Sequence, residues 1–183
     1  MQHYFKFTKQ IFLVGLIDLI KLSEVIVFLP IITKILGVEN YGIWSQIKVT
    51  MSLLVPFTFL GLHESLARFI PGAKDPSEIK EGVYSSSFIV FSVTLMFALS
   101  LIIFAGPISQ FLGFSFLYVR FLALLVIFES LNTILFVVVR ALREITKYFW
   151  FMMLRLFGEI TLVILAILLG YGLLGALAAY LAI

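Results

Sequence analysis

Ionisable side chains recur inside stretches of the chain that are otherwise hydrocarbon. Asp18, Lys21 and Glu24 interrupt the apolar run 11–32, Glu129 sits in 116–139, and Arg155 and Glu159 lie in 148–169. Asp18, Lys21 and Glu24 are three residues apart, and each step turns an α-helix by about 300°, so all three fall within one sector of roughly 120°. Lys21 then has a carboxylate one turn to either side, a spacing at which neighbours pair. Arg155 and Glu159, four apart, also share a face, while for Glu129 the sequence offers no obvious partner in its own helix, so it is expected to be protonated, paired across helices or hydrated. Charges at such depth are costly and by default face a polar cavity or a partner. Lys and Arg there suit a phosphate or acidic sugar, and Asp or Glu a proton or cation. The competing reading is an internal structural ion-pair set, which is weighed below function for Asp18, Lys21 and Glu24 and about equally with it for Arg155 and Glu159.

The elements that must position these groups are membrane helices. Of 183 residues 62% are hydrophobic and 13% charged, against about 25% charged in an ordinary globular chain, and the mean hydropathy is +1.16. A helix needs about 20 apolar residues to cross the hydrocarbon. Runs of that kind predict spans at about 11–32, 42–62, 83–105, 116–139 and 148–169, with a truncated sixth at 173–183. Pro56 predicts a kink in the second, and Gly106-Pro107 ends the third. The expected fold is therefore all-α, a polytopic bundle of five full transmembrane helices and part of a sixth. At 1.5 Å per residue the sixth run reaches only about 16 Å, which predicts a fragment of a longer protein. Asp18 and Lys21 interrupt the first run and no small-residue cleavage site follows it, so it reads as a retained span rather than a signal peptide.

Loop charge sets the expected orientation. The N-terminal tail (Lys6, Lys9), the loop 63–82 (Arg68, Lys74, Lys80) and the loop 140–147 (Arg140, Arg143, Lys147) carry the basic residues, whereas the opposite loops hold Lys34 alone. The positive-inside rule places the N-terminus and those two loops in the cytoplasm. Lys48 and Arg120 lie within two turns of an outer span end and are placed to snorkel to the headgroups. Tyr41, Trp44, Tyr148 and Trp150 also sit at span ends, as an interfacial belt would. The third span carries no charge from Phe88 to Ala105 and is expected to face lipid, leaving spans one, two, four and five as cavity walls.

Several chemistries are excluded or disfavoured. The net charge of +3 is spread between spans, which is not a nucleic-acid signature. There is no cysteine, hence no thiolate chemistry or disulfide. His3 and His63 are isolated, and no metal site or cofactor is expected. No phosphate-binding GxxxxGK[ST] loop is present. Leu169-Gly170-Tyr171-Gly172 is similar to a potassium filter, but it lacks the preceding Thr-Val and a pore helix, so it reads as a turn.

The segment Leu29-Pro30-Ile31-Ile32-Thr33, the turn Leu36-Gly37-Val38-Glu39-Asn40-Tyr41-Gly42-Ile43-Trp44, and the later Leu60-Gly61-Leu62, Arg68-Phe69 and Pro71-Gly72 resemble the polysaccharide flippases of the multidrug/oligosaccharidyl-lipid/polysaccharide exporter superfamily. Lys9-Gln10 opening the first span agrees with the same pattern. The similarity is sharpest over residues 6–82; beyond it span spacing, Arg140-Ala141-Leu142-Arg143 and Gly172-Leu173-Leu174-Gly175-Ala176 agree. The resemblance implies the N-terminal lobe of a MATE-like two-lobed transporter. Its missing C-terminal lobe, or a homodimer, would complete a cavity worked by alternating access. It further implies a lipid-linked oligosaccharide as substrate, the bilayer as partner, and the plasma (inner) membrane of a prokaryote as location. Lys21 and Arg68 are the positions carried over for an anionic head group, and Asp18 or Glu24 for coupling to H+ or Na+. Glu129, Arg155 and Glu159 join Lys21 and Arg68 as expected cavity residues, with no catalytic residue assigned.

The expected function is thus membrane flipping of a lipid-linked oligosaccharide for polysaccharide biosynthesis, and not an enzyme. A cation-coupled multidrug or small-molecule antiporter of the same superfamily is the alternative within transport. Outside transport, the alternatives are a polytopic glycosyltransferase and a structural membrane subunit. The first needs acidic residues in a sizeable extramembrane site, and Glu39 is the one acid in the outer loops.

Overall fold

The computed structural model describes residues 2–73 and 75–183, without the side chains of residues 2–7, 9–11, 23–25, 27 and 28. Lys74 and the side chains of Lys6, Lys9 and Glu24 therefore lie outside the described residues. Every element among those described is a helix: α1 (Gln2–Thr58), α2 (Leu62–Gly72), α3 (Pro76–Ile103), α4 (Ala105–Leu112), α5 (Phe116–Ala141), α6 (Ile145–Leu168) and α7 (Gly172–Leu181). The chain divides into two compact units, Ser45–Arg143, and Met1–Trp44 with Glu144–Ile183.

Three of these helices, α3, α5 and α6, are long and apolar enough to cross a membrane. A fourth span results if Leu29–Thr58 and Leu62–Gly72, bent by 54°, count as one broken span. The protein is a multi-pass membrane helix bundle, and the described residues show three such spans, or four, with the expected first span at 11–32 lying partly outside them.

The joints differ from the sequence reading in informative ways. The expected connection 34–41 contains one non-helical residue, Gly37, at φ 79° and ψ 163°; helix resumes on either side because only a residue without a Cβ takes that conformation cheaply. Pro56 sits in the last turn of α1, where it deprives the Ser52 carbonyl of its donor. The helix stops two residues later through Leu60 and Gly61, both at positive φ. Residues 63–82, read as a loop, instead hold α2 and the start of α3, with Pro76 at the first turn of α3, where a missing N–H costs nothing. Likewise α3 stops at Phe104, ahead of Gly106-Pro107, and Pro107 falls in the first turn of α4.

In the Ser45–Arg143 unit, α3 packs along α5, α2 lies against both, and α4 does the same at the other end of α3. The buried residues of α3 are Val90, Thr94 and Ala98, a single stripe at four-residue spacing. Two of the three are small or short, which lets helices approach where lipid supplies no hydrophobic drive. Ile47, Met51, Val55 and Phe59 continue the same spacing on the last part of α1 and the residue after it. Gly82 faces the Phe69 ring, which a Cβ would meet at 2.6 Å, so the α2–α3 hairpin closes only over glycine or a displaced ring.

In the other unit, α6 presents Met152, Leu156, Glu159, Val163 and Ile167 as a buried stripe, and α7 packs on α6 with Leu173, Ala176, Leu177 and Tyr180 buried. Residues 169–171 form a turn where one was expected, and Gly172 opens α7. Gly170 and Gly172 have positive φ, and the Tyr171 N–H donates to the Ala166 carbonyl at 3.2 Å. The turn folds back so tightly that a Cβ on Gly175 would overlap Cβ of Tyr171, an atom fixed to the backbone. Gly175→Ala is therefore expected to lower stability by about 1–3 kcal/mol through overpacking. Gly106→Ala, whose Cβ meets nothing within 4 Å, should be neutral. Thermal unfolding of the two variants in detergent, followed by circular dichroism, checks the contrast.

Candidate functional site

Among the described residues the buried polar or charged side chains are Thr58, Thr94, Ser130 and Glu159. Each sits on a helix whose other buried positions are apolar, so each must answer the cost of an unpaired polar group in hydrocarbon.

Glu159 is 5% exposed, on the inward stripe of α6. Arg155, one turn earlier, is half-buried, and its Nη2 donates to the Tyr180 hydroxyl at 3.5 Å, the long limit of a hydrogen bond. Tyr180 in turn meets the edge of Trp44, with ring centroids 6.0 Å apart and planes at 86°, a favoured aromatic geometry. Arg155, Tyr180 and Trp44 thus form a contiguous polar–aromatic group within one unit, with Glu159 beside it along α6. The arrangement holds a half-buried guanidinium on an apolar membrane helix, with its head directed to the Tyr180 hydroxyl. A guanidinium recognises oxyanions such as carboxylate or phosphate through paired donors.

The second group lies in the Ser45–Arg143 unit. The Thr58 hydroxyl donates to the Val55 carbonyl at 2.7 Å and lies 3.1 Å from the Ser130 hydroxyl. A hydroxyl has one proton; Thr58 has spent its own on Val55, so Ser130 is the donor of the second bond. This ties the end of α1 to the middle of α5. Glu129, the neighbour of Ser130 in sequence, is half-buried. Thr94, 1% exposed on α3, has a hydroxyl with no hydrogen-bond partner among the described residues.

The remaining expected residues are more open. Asp18 and Lys21 are exposed on α1, and Arg68 is exposed on α2; the Glu24 side chain lies outside the described residues. Arg155 and Glu159 therefore share one unit with Asp18 and Lys21, while Glu129 and Arg68 belong to the other. The sequence reading missed Tyr180, which lies in the short last run, and the Thr58–Ser130 pair, which joins residues 72 apart. It also placed Trp44 in an interfacial belt, whereas the indole is 3% exposed and Trp150 is the exposed one of the pair. The aromatic type at a span end signalled an amphipathic anchor, and nothing local distinguishes that from packing against a distant tyrosine.

The donor assignment has a measurable consequence. Thr58→Val strands the buried Ser130 hydroxyl and should cost about 1–2 kcal/mol. Ser130→Ala leaves Thr58 bonded to Val55 and should cost about 0.6 kcal/mol, the mean for interhelical bonds in membranes. Equilibrium unfolding of both single variants and the double variant in mixed micelles tests this, with the double variant costing less than the sum of the two.

Neither the curated proteins nor the solved structures compared with this sequence give a match. The family model described as "Polysaccharide biosynthesis protein" matches residues 7–182. The matched range extends from α1 to α7 and includes the stretches in which the charged and hydroxyl groups sit, and the chain belongs to that polysaccharide biosynthesis family.

Proposed function

We propose that this protein flips or exports a lipid-linked oligosaccharide for polysaccharide biosynthesis, by alternating access around a wet intramembrane cavity. One observation supports the reading beyond family membership: an ionised-type pair, Arg155 and buried Glu159, set one turn apart inside an otherwise apolar membrane helix. Groups of this kind mark substrate or ion paths. Arg155 takes the role of phosphate or acidic-sugar contact, with Lys21 and Arg68 as further cationic contacts. Glu159 and Glu129 are further proposed substrate contacts, each considered within its own unit, and Asp18 and Glu24 are the coupling candidates for H+ or Na+. The sugar head travels through the cavity while the lipid tail stays in the bilayer, so the protein supplies a path and not a bond-making centre.

The location we infer is the plasma membrane of a prokaryote, with the N-terminus in the cytoplasm. The absence of cysteine makes the orientation directly measurable. In intact cells Lys34→Cys should react with a membrane-impermeant maleimide, and Arg143→Cys only after permeabilisation. The reverse pattern would invert the topology.

Transport is tested on the full chain reconstituted in liposomes with a fluorescent lipid-linked oligosaccharide and a membrane-impermeant quencher. The expected result is protein-dependent movement between leaflets. Glu159→Gln and Arg155→Gln should each slow it about tenfold, equivalent to about 1.4 kcal/mol, with helix content unchanged. Movement at the protein-free rate, or variants equal to the parent, would sink the proposal.

A further inference from the structure

We propose that Tyr180 is a positioning residue: its hydroxyl presets the Arg155 guanidinium for an oxyanion, and so sets how tightly the chain holds a phosphate or acidic-sugar head. The inference rests on the reading above that Arg155 contacts such a group, and it supplies the part that α7 plays in that contact.

The observation is a buried hydroxyl that packing does not call for. The inward residues of α7 are Leu173, Ala176, Leu177 and Tyr180, spaced as one helix face, and α7 packs on α6. Tyr180 alone among these four carries a polar side-chain atom. A phenylalanine ring would cover the same apolar neighbours with no hydroxyl to take out of water, a cost that only a hydrogen bond offsets. Arg155 Nη2 on α6 donates to that hydroxyl at 3.5 Å. Both side chains lie in the same compact unit, as does Trp44.

The order of contacts gives the hydroxyl a fixed place. Trp44, buried on α1, meets the Tyr180 ring at 86° with centroids 6.0 Å apart. A tyrosine has two side-chain torsions, so holding it still costs little entropy. Arginine is the opposite case, a long side chain with many rotamers. An anion that had to order this guanidinium by itself would bind more weakly than one that found it already aimed. A protonated phenol also accepts an N–H without bringing a charge. It therefore orients the cation and leaves its charge in place, which a carboxylate in the same position would not do. The bond is long, so its contribution is direction more than strength, and the expected effect of losing it is modest.

The chain has two tryptophans, so Trp150→Phe leaves Trp44, in contact with the Tyr180 ring, as the one indole reporter. Inorganic pyrophosphate is titrated into this full-chain variant in detergent at constant ionic strength, and half-saturation is read from the Trp44 emission. A saturable response is expected, and Arg155→Gln should abolish it. Adding Tyr180→Phe keeps the ring against Trp44 and removes the hydroxyl alone. It should raise the half-saturating concentration about fivefold, equivalent to about 1 kcal/mol, with the thermal midpoint unchanged. A purely structural hydroxyl would give the reverse, a lower midpoint with unchanged half-saturation, and that result overturns the inference. So does the absence of any response, or a response that sodium chloride alone reproduces. The liposome assay separates this inference from the transport reading. Flipping by the parent with pyrophosphate binding indifferent to Tyr180→Phe removes the inference and keeps the transport reading. Pyrophosphate binding that depends on the Tyr180 hydroxyl, without flipping, supports the inference and removes the transport reading.

Discussion

Hydrocarbon offers a backbone no hydrogen bond, and the form of this chain follows from that constraint. An unsatisfied amide in the bilayer costs several kcal/mol, so the described chain is helix apart from short joints, and those joints are largely bonded internally. At the end of α1 the N–H groups of Phe59 and Leu60 fall back to carbonyls three residues earlier. At the end of α5, Leu142 donates to Val138 and Arg143 to Arg140, even though Arg143 must take a positive φ of 59° to do so. The strain of a non-glycine residue in that region is smaller than the cost of an orphaned amide.

Side-chain hydroxyls obey the same rule in two ways. Thr33, Ser52, Ser92 and Ser100 turn back on a carbonyl of their own helix at 2.7–2.8 Å. These bonds satisfy the hydroxyl and specify nothing beyond the helix. Thr58 and Ser130 use the second way, bonding across helices, and that bond fixes the rotation of α5 against the end of α1. The unanswered Thr94 hydroxyl stands apart from both patterns, on the helix with the least covered apolar surface.

Much of this was legible in the sequence because hydropathy alone decides which long runs become helix. The cores of α3, α5 and α6 lie within the predicted runs, and the Gly170-Tyr171-Gly172 turn is where its glycines put it. The joints were less legible. Residues 63–82 look like a loop by polarity, yet Leu66 and Ile70, four apart, give α2 a face to bury, and such spacing in a short polar segment is easily read past. The break at Phe104 has no proline or glycine of its own and precedes the Gly106-Pro107 that seemed to cause it. Of the candidate site, the depth of Glu159 and Arg155 was readable from position along the run. Their neighbour Tyr180 was not, because a contact across 25 residues leaves no periodic trace. The chain's membership of the polysaccharide biosynthesis family was carried by short motifs around Gly37 and Gly61, the two glycines that hold positive φ at the first joints.

The make-up of α3 bears on the membrane it sits in. Its 28 residues would extend about 42 Å, well beyond a hydrocarbon core of about 30 Å, but its first turns carry Ser77, Glu78, Lys80 and Glu81. From Val83 to Ile103 the apolar part is about 31 Å long. The apolar part is therefore about as long as an ordinary hydrocarbon core is thick, with the polar turns at its start beyond that length. A thicker membrane would have to thin around it, because little hydrophobic length is left over to be recovered by reducing tilt.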